Sequence, residues 1–426
     1  MTESSKRQGG KVTVHKVGAL PAAMIVAACS LSGCEGIDVP LPAEVVSVGA
    51  LLPLSGDFSS GGTAARAALE LAVDEANDYL AAIESNRRVQ LVVHDTGTDP
   101  ETASDKLREL AEAGVSVVVG PMSSEELSAC KPLADRVRVL LVSPSATAAS
   151  LGVIGDNVMR FAPDDTNHAA AAAAYMRHRG IEAAAVLRRD GLWGEELSDL
   201  TMTRFADAGG TSLGSVGYDP TSFARNDFRD ELAELGAIVG PAVADFGSDK
   251  VAVFLASYGE GVEVLAQAAG DPVLSTVDWF AADGLALNPD LLLDTQAAEF
   301  ASTTGLTASA FGSTSPERFA EIQSRIEQRL GQTPHMHAII AYDIMWSIAL
   351  TINEAADPYD VDFMKTALPQ VADFYNGASG RIFLNEAGDR TEGNYGFWAI
   401  FEEEAGFTWR WIALYEDSAI TTNGIN

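Results

Sequence analysis

The chain has 426 residues, with 60 acidic against 28 basic side chains, a formal charge of −32 and three cysteines. Acid spread along the whole length argues against nucleic acid and anionic lipid headgroups as partners, and describes a solubilising surface suited to a salt-tolerant habitat. Cys29 and Cys34 fall near the N-terminus, which leaves Cys130 alone in the body of the chain. No intramolecular disulfide is then expected, and the fold must rest on its own core.

In chain order, Lys6, Arg7, Lys11 and Lys16 precede a short apolar run over 17–28. That run is too short to cross a bilayer, which takes about 20 apolar residues. Leu31-Ser32-Gly33-Cys34 follows. The tetrad resembles the lipobox of bacterial lipoproteins, in which the cysteine is lipidated and becomes residue one. The resemblance implies a signal peptide over 1–33, lipidation at Cys34 and a tether over 34–43, with export to the periplasm or cell surface. A plain secretory signal with a chance cysteine is the alternative. No later segment approaches a membrane span, so contact with the membrane is expected through the lipid anchor only. The roughly 390 residues beyond the leader suffice for two lobes of ordinary domain size.

Strand-like and helix-like segments then alternate. An apolar run over 45–52 enters Pro53-Leu54-Ser55-Gly56, and Ala65, Leu69, Ala72, Ala76, Leu80 and Ile83 recur at helical spacing. Strands are predicted at 89–94, 115–119 and 139–142, with a helix over 101–113 stopped by Gly114. Ser123 and Glu126 have capping-box spacing, so another helix starts there. The pattern restarts with an alanine-rich helix over 168–179, a strand over 183–187, a helix over 195–208, a strand over 251–256 and a helix over 262–269. The segment 236–249 reads as a Gly/Ala-rich loop, long helices follow over 316–330 and 338–355, and 381–415 reads as antiparallel strands. The fold class is α/β: two Rossmann-like lobes with parallel sheets covered on both faces. Ligands of such sheets sit at the carboxyl ends of the strands. The candidate loops are therefore 53–62, 120–124, 143–147, 189–194, 256–260 and 281–284.

At these loops the chain resembles the leucine/isoleucine/valine-binding proteins, type I periplasmic solute-binding proteins of ABC importers. Gly49 to Gly56 looks like that family's opening strand, and Ala72-Val73-Asp74-Glu75-Ala76-Asn77 matches its first helix. Val119-Gly120-Pro121 with Ser123-Ser124, then Ser143-Pro144-Ser145-Ala146-Thr147, form the most diagnostic pair. Trp193-Gly194 stands where the family usually has Tyr-Gly, and Asp227-Phe228, Tyr342-Asp343, Gly380-Arg381-Ile382-Phe383 and Gly388-Asp389-Arg390 match later landmarks. The resemblance implies two lobes joined by three crossovers, near 161–164, 306–308 and 388–392. Lobe one would be 44–162 plus 308–388, and lobe two 163–307 plus 389–426.

It also implies a ligand shell. Ser124 at a helix start offers a hydroxyl and a backbone N–H to a carboxylate, Ser145 and Thr147 offer backbone N–H groups, and Thr147 a hydroxyl. Asp283, in Ala281-Ala282-Asp283-Gly284, would hold an ammonium with the Ser145 carbonyl and the Thr147 hydroxyl. Trp193 and Tyr258 would wall the side chain, with Ser257 an equal candidate for the second place. Taken singly, Ser124 could be a cap, Ser145 and Thr147 turn residues, and Asp283 an ordinary turn. Gly61 stands where amino-acid binders often carry an aromatic, and Phe58 is the residue that could compensate.

Enzyme patterns do not assemble. There is no P-loop, no G-x-G-x-x-G after the first strand and no G-x-S-x-G elbow. His335 and His337 read as a loop and helix start whose side chains diverge, and His168 as a surface residue. The expectation is a monomeric binding protein with no cofactor or metal, capturing an amino-acid-like ligand for an ABC permease. The alternative is a lipoprotein that reports ligand to a signalling partner in the membrane.

Overall fold

The computed structural model describes residues 43–220, 227–313 and 315–423. The leader, Cys34 and nearly all of the tether lie outside them. The strands in chain order are β1 (Glu44–Leu52), β2 (Arg87–Asp95), β3 (Val117–Val119), β4 (Leu140–Ser143), β5 (Val158–Pro163), β6 (Ala183–Arg189), β7 (Thr211–Tyr218), β8 (Val251–Ala256), β9 (Asp278–Ala281), β10 (Thr307–Gly312), β11 (Asp389–Arg390), β12 (Asn394–Glu403), β13 (Gly406–Glu416) and β14 (Ala419–Thr422). They form two sheets, ordered β11-β5-β4-β3-β1-β2 and β14-β13-β12-β10-β9-β8-β6-β7. The first is parallel throughout; the second is parallel from β7 to β10 and antiparallel from β10 through β12 and β13 to β14.

Continuous apolar strands such as Val117–Val119 and Val251–Ala256 are buried along their whole length, as strands covered on both faces must be. In the first lobe the helix Ser59–Ala82 buries Ala65, Leu69, Ala72, Ala76 and Leu80, the stripe legible in the sequence. It packs against the helix Met336–Glu354. That helix corrects one expectation: by length and composition it could cross a membrane, but 83% of its apolar window is buried in the core. In the second lobe the helices Asp165–His178 and Leu192–Asp207 pack on each other.

The segment read as a Gly/Ala-rich loop is instead the end of a helix, Arg229–Phe246. Leu232, Leu235, Val239 and Ala242 are buried on one face of it. That i, i+3, i+7 stripe outweighs the poor propensity of Gly236, Gly240 and Pro241. The helix Val361–Tyr375 and strands β5 and β7 also went unpredicted.

The chain passes between lobes three times. The first crossing lies between β5 and the helix starting at Asp165. The second falls after Gly312, later than the sequence suggested, because β10 completes the second sheet before the chain leaves it. The third lies between Arg390 and Asn394, since β11 still pairs with β5 in the first sheet.

Candidate ligand-binding site

Lobe one contributes the loops after β1, β3 and β4. Ser123 caps the helix Ser124–Val137 through a complete capping box with Glu126, as its spacing predicted. The Ser124 hydroxyl oxygen accepts from the backbone N–H groups of Thr147 (3.2 Å) and Ala148 (3.1 Å), lacing two loops together. A hydroxyl that accepts twice still has its own hydrogen to donate. This arrangement corrects part of the expected shell, because the Thr147 N–H is already engaged. The Ser145 hydroxyl is likewise engaged, donating to the Met122 carbonyl at 2.7 Å.

Thr147 is held in place from below. Fully buried Arg160 on β5 donates to the carbonyls of Ala146 (3.3 Å) and Ala148 (2.7 Å), on either side of it. Asp389 on β11 grips the same guanidinium through two bonds of 2.6 and 2.8 Å. The crossover strand thus positions the loop, a role for Arg160 and Asp389 that no local motif signals.

Lobe two contributes Trp193, in the first turn of the helix Leu192–Asp207, Tyr258 after β8 and Asp283 after β9, all buried. Tyr258 stacks on Trp193 at 4.8 Å between centroids, and on Phe58 of lobe one at 4.7 Å. Between the two candidates at 257–258, the tyrosine therefore joins the aromatic wall. The Phe58 ring lies directly over Gly61, where a Cβ would come within 2.7 Å of its Cε2. Phe58 thus occupies the space that the absent aromatic leaves. Gly284 is required in the same sense, since a Cβ there would meet the Ser257 carbonyl at 2.4 Å and the Tyr258 ring at 2.6 Å.

Asp283 is the electrostatic centre. His337 Nε2 lies 3.4 Å from Oδ2, His168 Nδ1 lies 3.8 Å from Oδ1, and His335 Nε2 is 3.0 Å from the Asp283 backbone oxygen. Two readings are corrected here. His168 is not on the surface: it is buried, bonded through Nε2 to Ser309 Oγ at 2.8 Å and stacked on Tyr395. His335 and His337 do not diverge, because His335 sits outside the helix as its N-cap, and their rings come to 4.6 Å. Burial alone would raise the Asp283 carboxyl, but the His337 hydrogen bond and the neighbouring histidines outweigh it and hold the group at about 2. Burial and the nearby His337 push His335 down from 6.5 to about 3.

Asp165 lies 4.0 Å from His168 Nδ1 and is fully buried, where desolvation and the Asp283 charge drive its carboxyl well above the usual range. Thr147 Oγ1, both Asp165 oxygens, Asp283 Oδ1 and His168 Nδ1 are all buried and lack a hydrogen bond of sound geometry. Such clustered buried polar atoms with unused hydrogen-bonding capacity point to a polar ligand. Among the described residues no group of three or more His, Cys, Asp or Glu has the geometry to hold a metal ion.

The lobes touch around this site. Arg189 of lobe two pairs with Asp57 of lobe one at 2.9 Å and with Glu260 at 2.8 Å, its guanidinium 4.1 Å from the Tyr258 centroid. Gly259 N–H donates to the Asp57 carbonyl at 3.0 Å, Trp193 N–H to Glu125 at 3.1 Å and Ser150 N–H to Glu196 at 3.0 Å.

Two lobes on mostly parallel sheets, three crossings and a buried polar site at the strand ends are the architecture of a cleft-binding protein. The chain belongs to the periplasmic binding protein family, whose sequence model matches residues 45–402. It is 26% identical over 403 residues to an uncharacterised protein of Methanocaldococcus jannaschii, covering 90% of this chain and 92% of the relative. It is 34% identical over 186 residues to BasB, the substrate-binding protein of a chemotactic signal transduction system in Halobacterium salinarum, covering 41% and 44%. The leucine-binding protein LivK of Thermotoga maritima superposes with a TM-score of 0.71 at 20% identity, covering 89% of this chain and 99% of that one.

Proposed function

We propose that this chain is an extracytoplasmic lipoprotein, anchored through Cys34, that captures a compact α-amino acid between its lobes for an ABC permease. One observation carries the reading: buried oxygens of Thr147, Asp165 and Asp283 with unused hydrogen-bonding capacity lie together at the strand ends. An ammonium has three donors to place and a full charge to offset, and this pocket matches both. The remaining hydrogen of Ser124, at a helix N-terminus, suits the ligand carboxylate. Trp193, Tyr258 and Phe58 close the side-chain end. Phe58 and Tyr258 stack ring on ring across the cleft, which favours a small side chain over leucine.

The test is calorimetric titration of the chain lacking residues up to Cys34 with alanine, leucine, N-acetylalanine and alanine methyl ester. Saturable binding of alanine, weaker binding of leucine and at least a tenfold loss for both blocked forms are expected. Tight binding of N-acetylalanine would overturn the ammonium assignment. The likeness to BasB favours a second reading, in which the loaded lobes report to a chemotaxis partner. Cells lacking the gene would then keep ligand uptake and lose taxis toward it; import predicts loss of uptake.

A further inference from the structure

A second cleft of about 900 Å³ lies apart from the ligand site. One wall is the β12–β13 ribbon of lobe two, carrying Trp398, Trp409 and Trp411. The other is the helix Pro316–Leu330 of lobe one, which packs on Ser59–Ala82 and presents Phe319 and Glu327. Trp398 and Trp411 face each other as a cross-strand pair. The Trp398 indole lies flat over Gly396, where a Cβ would come within 2.5 Å of it, and Trp409 is fixed by its Nε1–H to the Asn288 carbonyl at 3.1 Å. Glu416 stands at the rim, its Oε1 accepting from Asn394 Nδ2 at 2.6 Å.

Among the described residues lining this cleft there are two carboxylates, Glu327 and Glu416, and no Lys, Arg or His. A volume in the range of small-molecule sites, three indoles and a purely negative charge set select one class of occupant. Indole faces attract a cation through the ring quadrupole, and carboxylates reinforce it. We infer that this cleft is a second binding site, for an organic cation with an apolar body such as a quaternary alkyl- or arylammonium.

Its position gives it leverage over the first site. The walls belong to different lobes, so the cleft changes shape whenever the lobes move. Met336 in its lining lies between His335 and His337, the residues that contact Asp283. An occupant touching both walls stabilises the present lobe arrangement, and by linkage each ligand raises the affinity for the other.

The experiment uses the soluble chain, its intrinsic tryptophan fluorescence and benzyltrimethylammonium chloride as the probe. Saturable quenching is expected, with 2,2-dimethylpropylbenzene, the uncharged carbon isostere of the probe, binding at least tenfold more weakly. Trp411→Ala should weaken the probe at least tenfold, and Glu416→Gln by severalfold. Trp411 is 40% exposed, so its loss leaves the core packed, which a thermal melt verifies. Saturating alanine should leave the probe bound at equal or higher affinity. Quenching abolished by alanine and retained in Trp411→Ala would place the cation in the ligand site and overturn the inference. Equal binding of the neutral compound, or no saturable signal, would also overturn it.

Discussion

Two neighbouring buried carboxylates cannot both ionise cheaply, and their surroundings push them in opposite directions. Against burial, the His337 hydrogen bond and the neighbouring histidines hold Asp283 at about 2, whereas burial and the Asp283 charge drive the Asp165 carboxyl well above the usual range. An ammonium entering between them favours ionised Asp165, so binding should release a proton. Titrations in buffers of different ionisation enthalpy should show net proton release on binding, absent in Asp165→Asn. Affinity should rise with pH through the titration of Asp165. Proton uptake on binding would contradict this. Stability follows a different group. The folded-state value of His335 is depressed from 6.5 to about 3, so its contribution is present above 6.5 and is lost as pH falls toward 3. Thermal melts from pH 7 to 4 should show the wild type losing stability relative to His335→Asn. Ser124, Thr147 and Asp283 were legible because family motifs and strand ends coincide there. Asp165 and the histidines were not, because their surroundings depend on contacts distant in sequence, 52 residues between His335 and Asp283 and more between Asp165 and Asp283.

The loop that carries Thr147 is held by elements from elsewhere in the chain. Arg160 binds the Thr147 loop to β11, more than two hundred residues away in sequence, through a buried bidentate pair. Removing one partner of such a pair leaves an uncompensated buried charge and costs about 3–5 kcal/mol. Asp389→Ala should therefore lower stability by that order in a denaturant melt, and should weaken ligand binding through the displaced Thr147 loop. Replacement with no loss of stability would remove the argument for positioning. At this scale, periodicity identified Ser59–Ala82 and the capping box of Ser124–Val137. It failed for Arg229–Phe246, where glycines and a proline mask the buried stripe, and for the second crossing, whose location is fixed by pairing of β10 with β9 and β12. Strand pairing is a non-local property, and no local pattern reports it.

The whole molecule carries a charge of −32 and encloses its site by contact of two lobes. Both features respond to the solution around it. Self-repulsion among 60 carboxylates opposes compactness and is screened by salt, so Tm should rise between about 0.1 M and about 2 M KCl. A flat or falling Tm would show that repulsion is not the limiting term. Closure rests on Asp57–Arg189, Trp193–Glu125 and the Phe58–Tyr258 stack, all between lobes. These contacts and the ligand stabilise the same arrangement, so ligand selects the closed form by its differential affinity.

The central claim is that Asp283 and its neighbours bind an α-ammonium group. Calorimetric titration of the wild-type chain and of Asp283→Asn with alanine tests it most directly. The account predicts one-to-one binding by the wild type and at least a tenfold loss in the variant, since a charge-assisted hydrogen bond is worth roughly 1.5–3 kcal/mol. Equal affinity in the two proteins, with both folded by circular dichroism, would contradict it.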